Sequence, residues 1–192
     1  WTIVMNNDVL VSPNWIENLI GAAENQNLKI VSPALIEGKL DYDFAAFEKE
    51  AQAKMKNEHR IGARHAVCLA IHESVWMDIG YFQPVPKLLG YEDTMFFHEA
   101  KKANLKMAMT GASWLHHYGS ITQTAMKLER GLKENQNLPY RYNYRLLNQS
   151  WLERKMTKIK RKRQERTWRD EELKKYGISM HGVRENNTFR WL

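Results

Sequence analysis

Apolar and polar positions fall into short alternating blocks along the chain, and the blocks predict strands and helices in turn. Thr2-Ile3-Val4-Met5 is an apolar run entering a polar corner at Asn6-Asn7-Asp8, the pattern of a buried strand leaving its sheet. Val9-Leu10-Val11 leads to Ser12-Pro13, where serine as N-cap and proline at the first helical position predict a helix start. Ile16, Leu19, Ile20 and Ala23 then recur at helical spacing. Lys29-Ile30-Val31-Ser32 reads as a short buried strand ending at Pro33, and Val67 to Ile71 as a second one. The stretch from Asp43 to Asn57 reads as a polar helix or a mobile loop insert, with Phe44, Phe47 and Ala51 as a thin apolar face. A short helix runs from Glu73 to a stop at Gly80. Gly80 to Gly90, with Pro84 and Pro86, reads as a loop. Glu92 to Ala103 predicts a helix with Phe96, Phe97 and Ala100 inward, and Lys106 to Met109 a further strand. From Ile121 onward the pattern is helical, with breaks near Gly131 and Pro139. Strands alternating with helices predict an α/β fold.

With 43% hydrophobic and 11% aromatic residues in 192, the chain can build a packed core, which excludes global disorder. The length suits one domain with an appended tail. The net charge of +7 raises a nucleic-acid reading. Residues 153–170, however, hold nine Lys or Arg against three acids, so the rest of the chain is nearly neutral. Nucleic acid is therefore not the expected partner of the chain as a whole. The basic segment alone suits a membrane surface, nucleic-acid phosphates or a merely solvated helix. A basic nucleic-acid or membrane-surface binding protein stays an alternative. The single cysteine, Cys68, excludes an internal disulfide and points to a reducing compartment. Apolar runs stay far below the ~20 residues of a spanning helix, and no signal-peptide pattern is present. The expected location is cytoplasmic, peripheral at a membrane. Trp1 opens inside a strand pattern, so the expectation is a chain truncated at its N-terminal side.

Three polar points end predicted strands or open helices, where ligands gather in open α/β sheets. A carboxylate just past a buried strand, as in Asn6-Asn7-Asp8, is rigidly held and suits a cation shared with phosphates; Asn and Asp equally make plain turns. In Gly90-Tyr91-Glu92-Asp93 two acids open a helix, where negative charge is favoured by about 0.3–1 kcal/mol. A carboxylate there also suits a general base. His116-His117 offers metal-ligating imidazoles or simply packs.

Taken in order, these points carry a likeness. The run from Val4 to Trp15, the segments Ile79-Gly80-Tyr81-Phe82 and Leu89-Gly90-Tyr91-Glu92-Asp93, then Ala103 to Met107 and His116-His117-Tyr118-Gly119-Ser120, resemble the successive motifs of family 2 glycosyltransferases. The likeness spans about residues 2–122. It implies a partial GT-A fold, a mixed, mostly parallel sheet flanked by helices, plus a C-terminal helical tail. Residues 1–122 would form the C-terminal part of the catalytic domain, its nucleotide-binding first half lying before Trp1. Residues 123–192 would form a helical, basic extension.

The same resemblance implies site roles. Asp8 stands at the metal-contacting position of the DxD-like motif, with Asn6 where the first acid often sits and Asn7 between them on the donor side. Asp93 matches the catalytic base and Glu92 its neighbour near the acceptor. His116 or His117 is the late metal or diphosphate contact, with His116 favoured because it lies four residues before Ser120. The implied cofactor is manganese or magnesium. The donor is a nucleotide-diphospho-sugar, the acceptor a saccharide or lipid-linked hydroxyl, and transfer inverts the anomeric carbon. The sequence departs from the family pattern at Met95 and Glu99, and at Gln83-Pro84 after the glycine-phenylalanine segment. A non-catalytic carbohydrate-binding module is the alternative. A metal hydrolase using Asp8, Asp93 and His116 is weaker, for want of a His-x-x-x-His pair.

Overall fold

A computed structural model of the chain describes residues 1–83, 92–119, 121–131, 147 and 149–192. Among them the chain forms a mixed α/β structure with one curled eight-stranded sheet and six helices. The strands are β1 (Thr2–Met5), β2 (Val9–Val11), β3 (Ile30–Gly38), β4 (His59–Ile61), β5 (Cys68–Ile71), β6 (Met107–His117), β7 (His181–Glu185) and β8 (Thr188–Trp191). The helices are α1 (Trp15–Asn25), α2 (Phe44–Met55), α3 (Glu73–Ile79), α4 (Glu92–Lys102), α5 (Ile121–Glu129) and α6 (Trp151–Tyr176).

β3 and β6 run parallel as a long central pair, each flanked by two different strands. The first half of β3 pairs with β5, which pairs with β1; its second half pairs with β7, which pairs with β8. β6 likewise pairs with β4 near its start and with β2 at its end. Only β3–β6 and β3–β7 are parallel, against five antiparallel pairings. The expectation of a mostly parallel sheet is thereby corrected. The central pair is buried on both faces. Ile30, Leu69 and Met107 pack under α3 and α4, whereas Val31, Ala70 and Ala108 pack under α1. Phe96, Phe97 and Ala100 of α4 are buried, as their spacing predicts.

The structure revises three boundaries. The strand expected to stop at Pro33 continues to Gly38, because Pro33 falls where the β3–β6 register shifts and its missing N–H costs no ladder bond. Its carbonyl accepts a hydrogen bond from His65 Nε2 at 2.7 Å. The shift on the other side is made by Gly111, Ala112 and Ser113 of β6. A Cβ on Gly111 would lie 2.5 Å from the Met55 carbonyl oxygen, so the end of α2 can approach the sheet there only over a glycine. Secondly, α1 begins at Trp15 with Asn14 in the left-handed conformation, not at Ser12-Pro13. Ser12 is instead buried at the end of β2. Thirdly, residues 43–57 form a well-capped helix, Asp43 Oδ1 accepting from Ala46 N at 3.0 Å.

The C-terminal region is not helical throughout. α6 starts with a reciprocal Ser150–Glu153 capping box and stops at Gly177 in the left-handed conformation. The chain then re-enters the main sheet as β7 and β8. The expectation of a wholly helical extension is corrected there. The segments 84–91 and 132–146, which hold the expected loop, Tyr91 and the break at Pro139, lie outside the described residues.

Candidate functional site

The ends of β1, β3 and β6 bring three polar positions to one edge of the sheet. Asn6 N donates to the Val67 carbonyl at 2.9 Å, continuing the β1–β5 ladder by one bond. The chain then turns back into β2, whose Val9 is the cross-strand partner of His117. Asp8 is fixed beside the end of β6, and its carbonyl accepts from Tyr118 N at 3.0 Å. As a result Asp8 Oδ1 lies 3.2 Å from His117 Nε2. The Asn6 amide nitrogen is 3.5 Å from the same ring nitrogen. Asn7, Asp8, Val9, Tyr118 and Ile121 line an open cleft of about 410 Å³, so Asp8 belongs both to this pair and to the cleft wall.

The two histidines face different partners, and the preference for His116 is reversed. His116 is fully buried. Its Nε2–H donates to the Gly38 carbonyl at 3.0 Å, and its bare Nδ1 accepts from the Tyr42 hydroxyl at 3.0 Å. Burial holds its pKa below the ordinary histidine value, which suits this neutral tautomer. Both nitrogens are occupied by protein. His117 is the imidazole presented to Asp8.

Two residues without a sequence signal complete the cluster. Glu37, directly across the β3–β6 ladder from His117, places Oε1 3.5 Å from His117 Nδ1. That is an ion-pair distance rather than a tight hydrogen bond. The other oxygen, Oε2, lies 3.3 Å from His181 Nε2 on β7. Carboxylate and imidazole therefore alternate in the order Asp8, His117, Glu37, His181. Glu37 was hidden because Pro33 reads as a strand end; carried through the proline, Ala34-Leu35-Ile36-Glu37 is the same apolar run into an acid as Val4 to Asp8.

The charges within the cluster are coupled. Glu37 is held far below the usual carboxylate range, first by His117 and then by His181, against the opposing effect of burial. His117 is raised above the ordinary histidine value, chiefly by Glu37, with burial opposing and Asp8 adding to the rise. Glu37 thus contributes stability above its unfolded value of 4.5, lost as pH falls through its lower folded value. His117 contributes below 6.5, and that part is lost as pH rises through its higher folded value. Urea unfolding of wild type and Glu37→Gln should therefore differ most between about pH 5 and 6 and converge on either side. A gap that stays constant from acid to alkaline pH would discard the pair.

No family model matches the chain, and neither does any curated protein.

The acid pair at the start of α4 is placed less directly. Asp93 Oδ1 accepts from Thr94 N at 2.7 Å. Its carboxylate also interacts electrostatically with Arg64, whose guanidinium stacks 4.9 Å over the Phe97 ring. The next residue, His65, senses the charges of Glu37, His117 and His181. Its pKa is lowered to about 4, chiefly by burial. Arg64 thus touches α4 through Phe97, whereas the His65 side chain donates to the Pro33 carbonyl. Among the described residues no hydrogen bond or ion pair joins Asp93 or Glu92 directly to Asp8 or His117. Gly90 and Tyr91 of that motif lie outside the described residues.

The donor chemistry suits a divalent cation. Two ligands on adjacent corners of an octahedron at about 2.1 Å lie about 3 Å apart. Asp8 Oδ1 and His117 Nε2, at 3.2 Å, match that spacing. The carboxylate oxygen suits magnesium or manganese, whereas the imidazole is more typical of zinc or iron. Among the described residues no group of three or more His, Cys, Asp or Glu is arranged to hold a metal, so the remaining positions would fall to water and substrate oxygens. Glu37 behind Nδ1 would orient the ring, as second carboxylates commonly do for ligating histidines.

Proposed function

We propose that the chain is part of a family 2, GT-A type glycosyltransferase that moves a sugar from a nucleotide-diphospho-sugar to an acceptor hydroxyl with inversion. The observation that carries this reading is the Asp8–His117 pair, brought together from opposite ends of residues 1–122 beside an open cleft that Asp8 lines. The sequence resemblance assigns metal and diphosphate contact to these two motifs, and the observed spacing fits that assignment.

Asp8 and His117 would hold a divalent cation at the sheet edge, and the diphosphate of the donor would meet that cation with Asn6 and Asn7 beside it. A divalent cation bound there supplies Lewis-acid stabilisation to the leaving diphosphate, worth several kcal/mol. Glu37 fixes the His117 ring so that Nε2 faces the cleft. Asp93 takes the proton from the acceptor hydroxyl as oxygen attacks the anomeric carbon from the face opposite the leaving group. Positive character at that carbon falls in a region rich in carboxylates, as in glycoside hydrolysis.

A donor screen on the full-length gene product, with and without manganese, tests the reading. Manganese-dependent transfer supports it. Sugar binding without turnover would favour a non-catalytic carbohydrate-binding module. For the cation site, calorimetry of Asp8→Ala should show manganese-dependent donor binding weakened by about tenfold or more, the scale of a lost charged contact. Unchanged binding would remove Asp8 from the site.

A further inference from the structure

Among the described residues the contacts that dock α6 on the body cluster at its C-terminal end. Over its last turns Glu172 pairs with Arg60, Trp168 lies 5.8 Å from the Arg60 guanidinium, and Tyr176 donates to Glu58. Toward its start the helix is exposed. Leu152, Met156 and Ile159 are 59%, 51% and 57% accessible, and Trp151 beside them 63%. At about 100° per residue, Leu152, Met156 and Ile159 fall within roughly 60° of one another. That stripe points about 180° from the arc of Trp168, Glu172 and Tyr176 that meets the body. The domain therefore cannot bury it.

The charge around the stripe names its partner. From Arg154 to Gln164 there are seven Lys or Arg and no acid. Lys155 and Lys162 flank the stripe on one side, Lys160 on the other, and Arg163 continues it beyond Ile159. We propose that the first half of α6 is a surface-binding helix for anionic lipid headgroups, lying in the interface with Leu152, Met156 and Ile159 toward the acyl region. So narrow an apolar stripe cannot hold a neutral bilayer unaided, so the attraction requires negatively charged lipid. Long lysine and arginine side chains beside it would reach the phosphates while their stems cover apolar area. This inference does not depend on the sugar-transfer reading, and either can fail alone.

Vesicle flotation of the full chain tests it. Vesicles with about 30% phosphatidylglycerol should capture the chain, those of phosphatidylcholine alone should not, and added salt should release it. The triple substitution Leu152→Ser, Met156→Ser, Ile159→Ser should weaken capture about tenfold with an unchanged circular-dichroism melting curve. Lys160→Glu with Lys162→Glu, at exposed positions, should weaken it as well and serves if the triple variant does not fold. Four results would overturn the proposal: no capture by anionic vesicles, capture indifferent to the apolar substitutions, tighter binding to a short DNA duplex at the same salt, or a wild-type dimer that the triple variant dissolves.

Discussion

Asp93→Asn in the full-length gene product should lower the rate of sugar transfer by about 10²–10⁴, the usual contribution of a positioned general base. The carboxamide keeps the shape of the side chain and can still accept the bond from Thr94 N, now 2.7 Å from Oδ1. It cannot take a proton. The start of α4 should therefore remain in place, and donor affinity should stay within about threefold of wild type, because the proposed diphosphate contact lies at Asp8 and His117 and not at Asp93. The pairing of a large loss in kcat with a near-constant donor constant separates a base from a folding residue. Retained turnover would remove Asp93 from that role. Charge adds an internal comparison, since the same substitution also removes a negative charge that acts on Arg64. Asp93→Glu keeps that charge but moves it by one methylene. If it recovers part of the rate and Asn none, proton acceptance rather than charge balance is at stake.

Glu172→Gln should unfold the chain more easily by about 3–5 kcal/mol, the cost of leaving a buried guanidinium unpaired. Arg60 and Glu172 side chains are 3% and 8% accessible and meet through two contacts of 2.7 Å. Arg60 also donates to Ser179 Oγ at 2.6 Å, and Glu172 Oε2 accepts from Met180 N at 2.8 Å. Glutamine keeps the volume and loses the charge. Against a typical total of about 5–15 kcal/mol, the loss should appear as a large drop in urea midpoint. Lys175→Ala, which breaks an exposed pair with Glu58, should move the urea midpoint far less. Replacing Arg60 and Glu172 together by methionine should recover much of the loss, because no charge is then stranded. A Glu172→Gln variant as stable as wild type would show that the clamp is dispensable.

The clamp bears on the site. Arg60 sits on β4, Glu172 on α6, and their pairing returns the chain to the sheet as β7. β7 runs beside β3 and delivers His181 to Glu37, which in turn faces His117. Loss of the clamp should therefore loosen the orientation of His117 as well as lower stability. The region that reads as an appended basic tail is part of the scaffold behind the cleft.

Local chemistry determined much of this protein. The apolar runs at Thr2–Met5 and Cys68–Ile71 and the inward face of α4 were legible because each obeys a single period over its whole length. The polar corner at Asp8, closing an apolar run, and the acids at 92–93, opening a helix, were legible as the ends of elements. Tertiary structure alone decided the rest. Which of two adjacent histidines faces Asp8 depends on the β2–β6 register, since neighbours in a strand point to opposite faces. Glu37 joins the site through its β3–β6 pairing with His117, and His181 through a contact with Glu37 across 144 residues. Pro33 could continue a strand because the β3–β6 register shifts at that point and its missing donor costs no ladder bond. Such facts live in contacts between distant segments, where neither composition nor periodicity carries information.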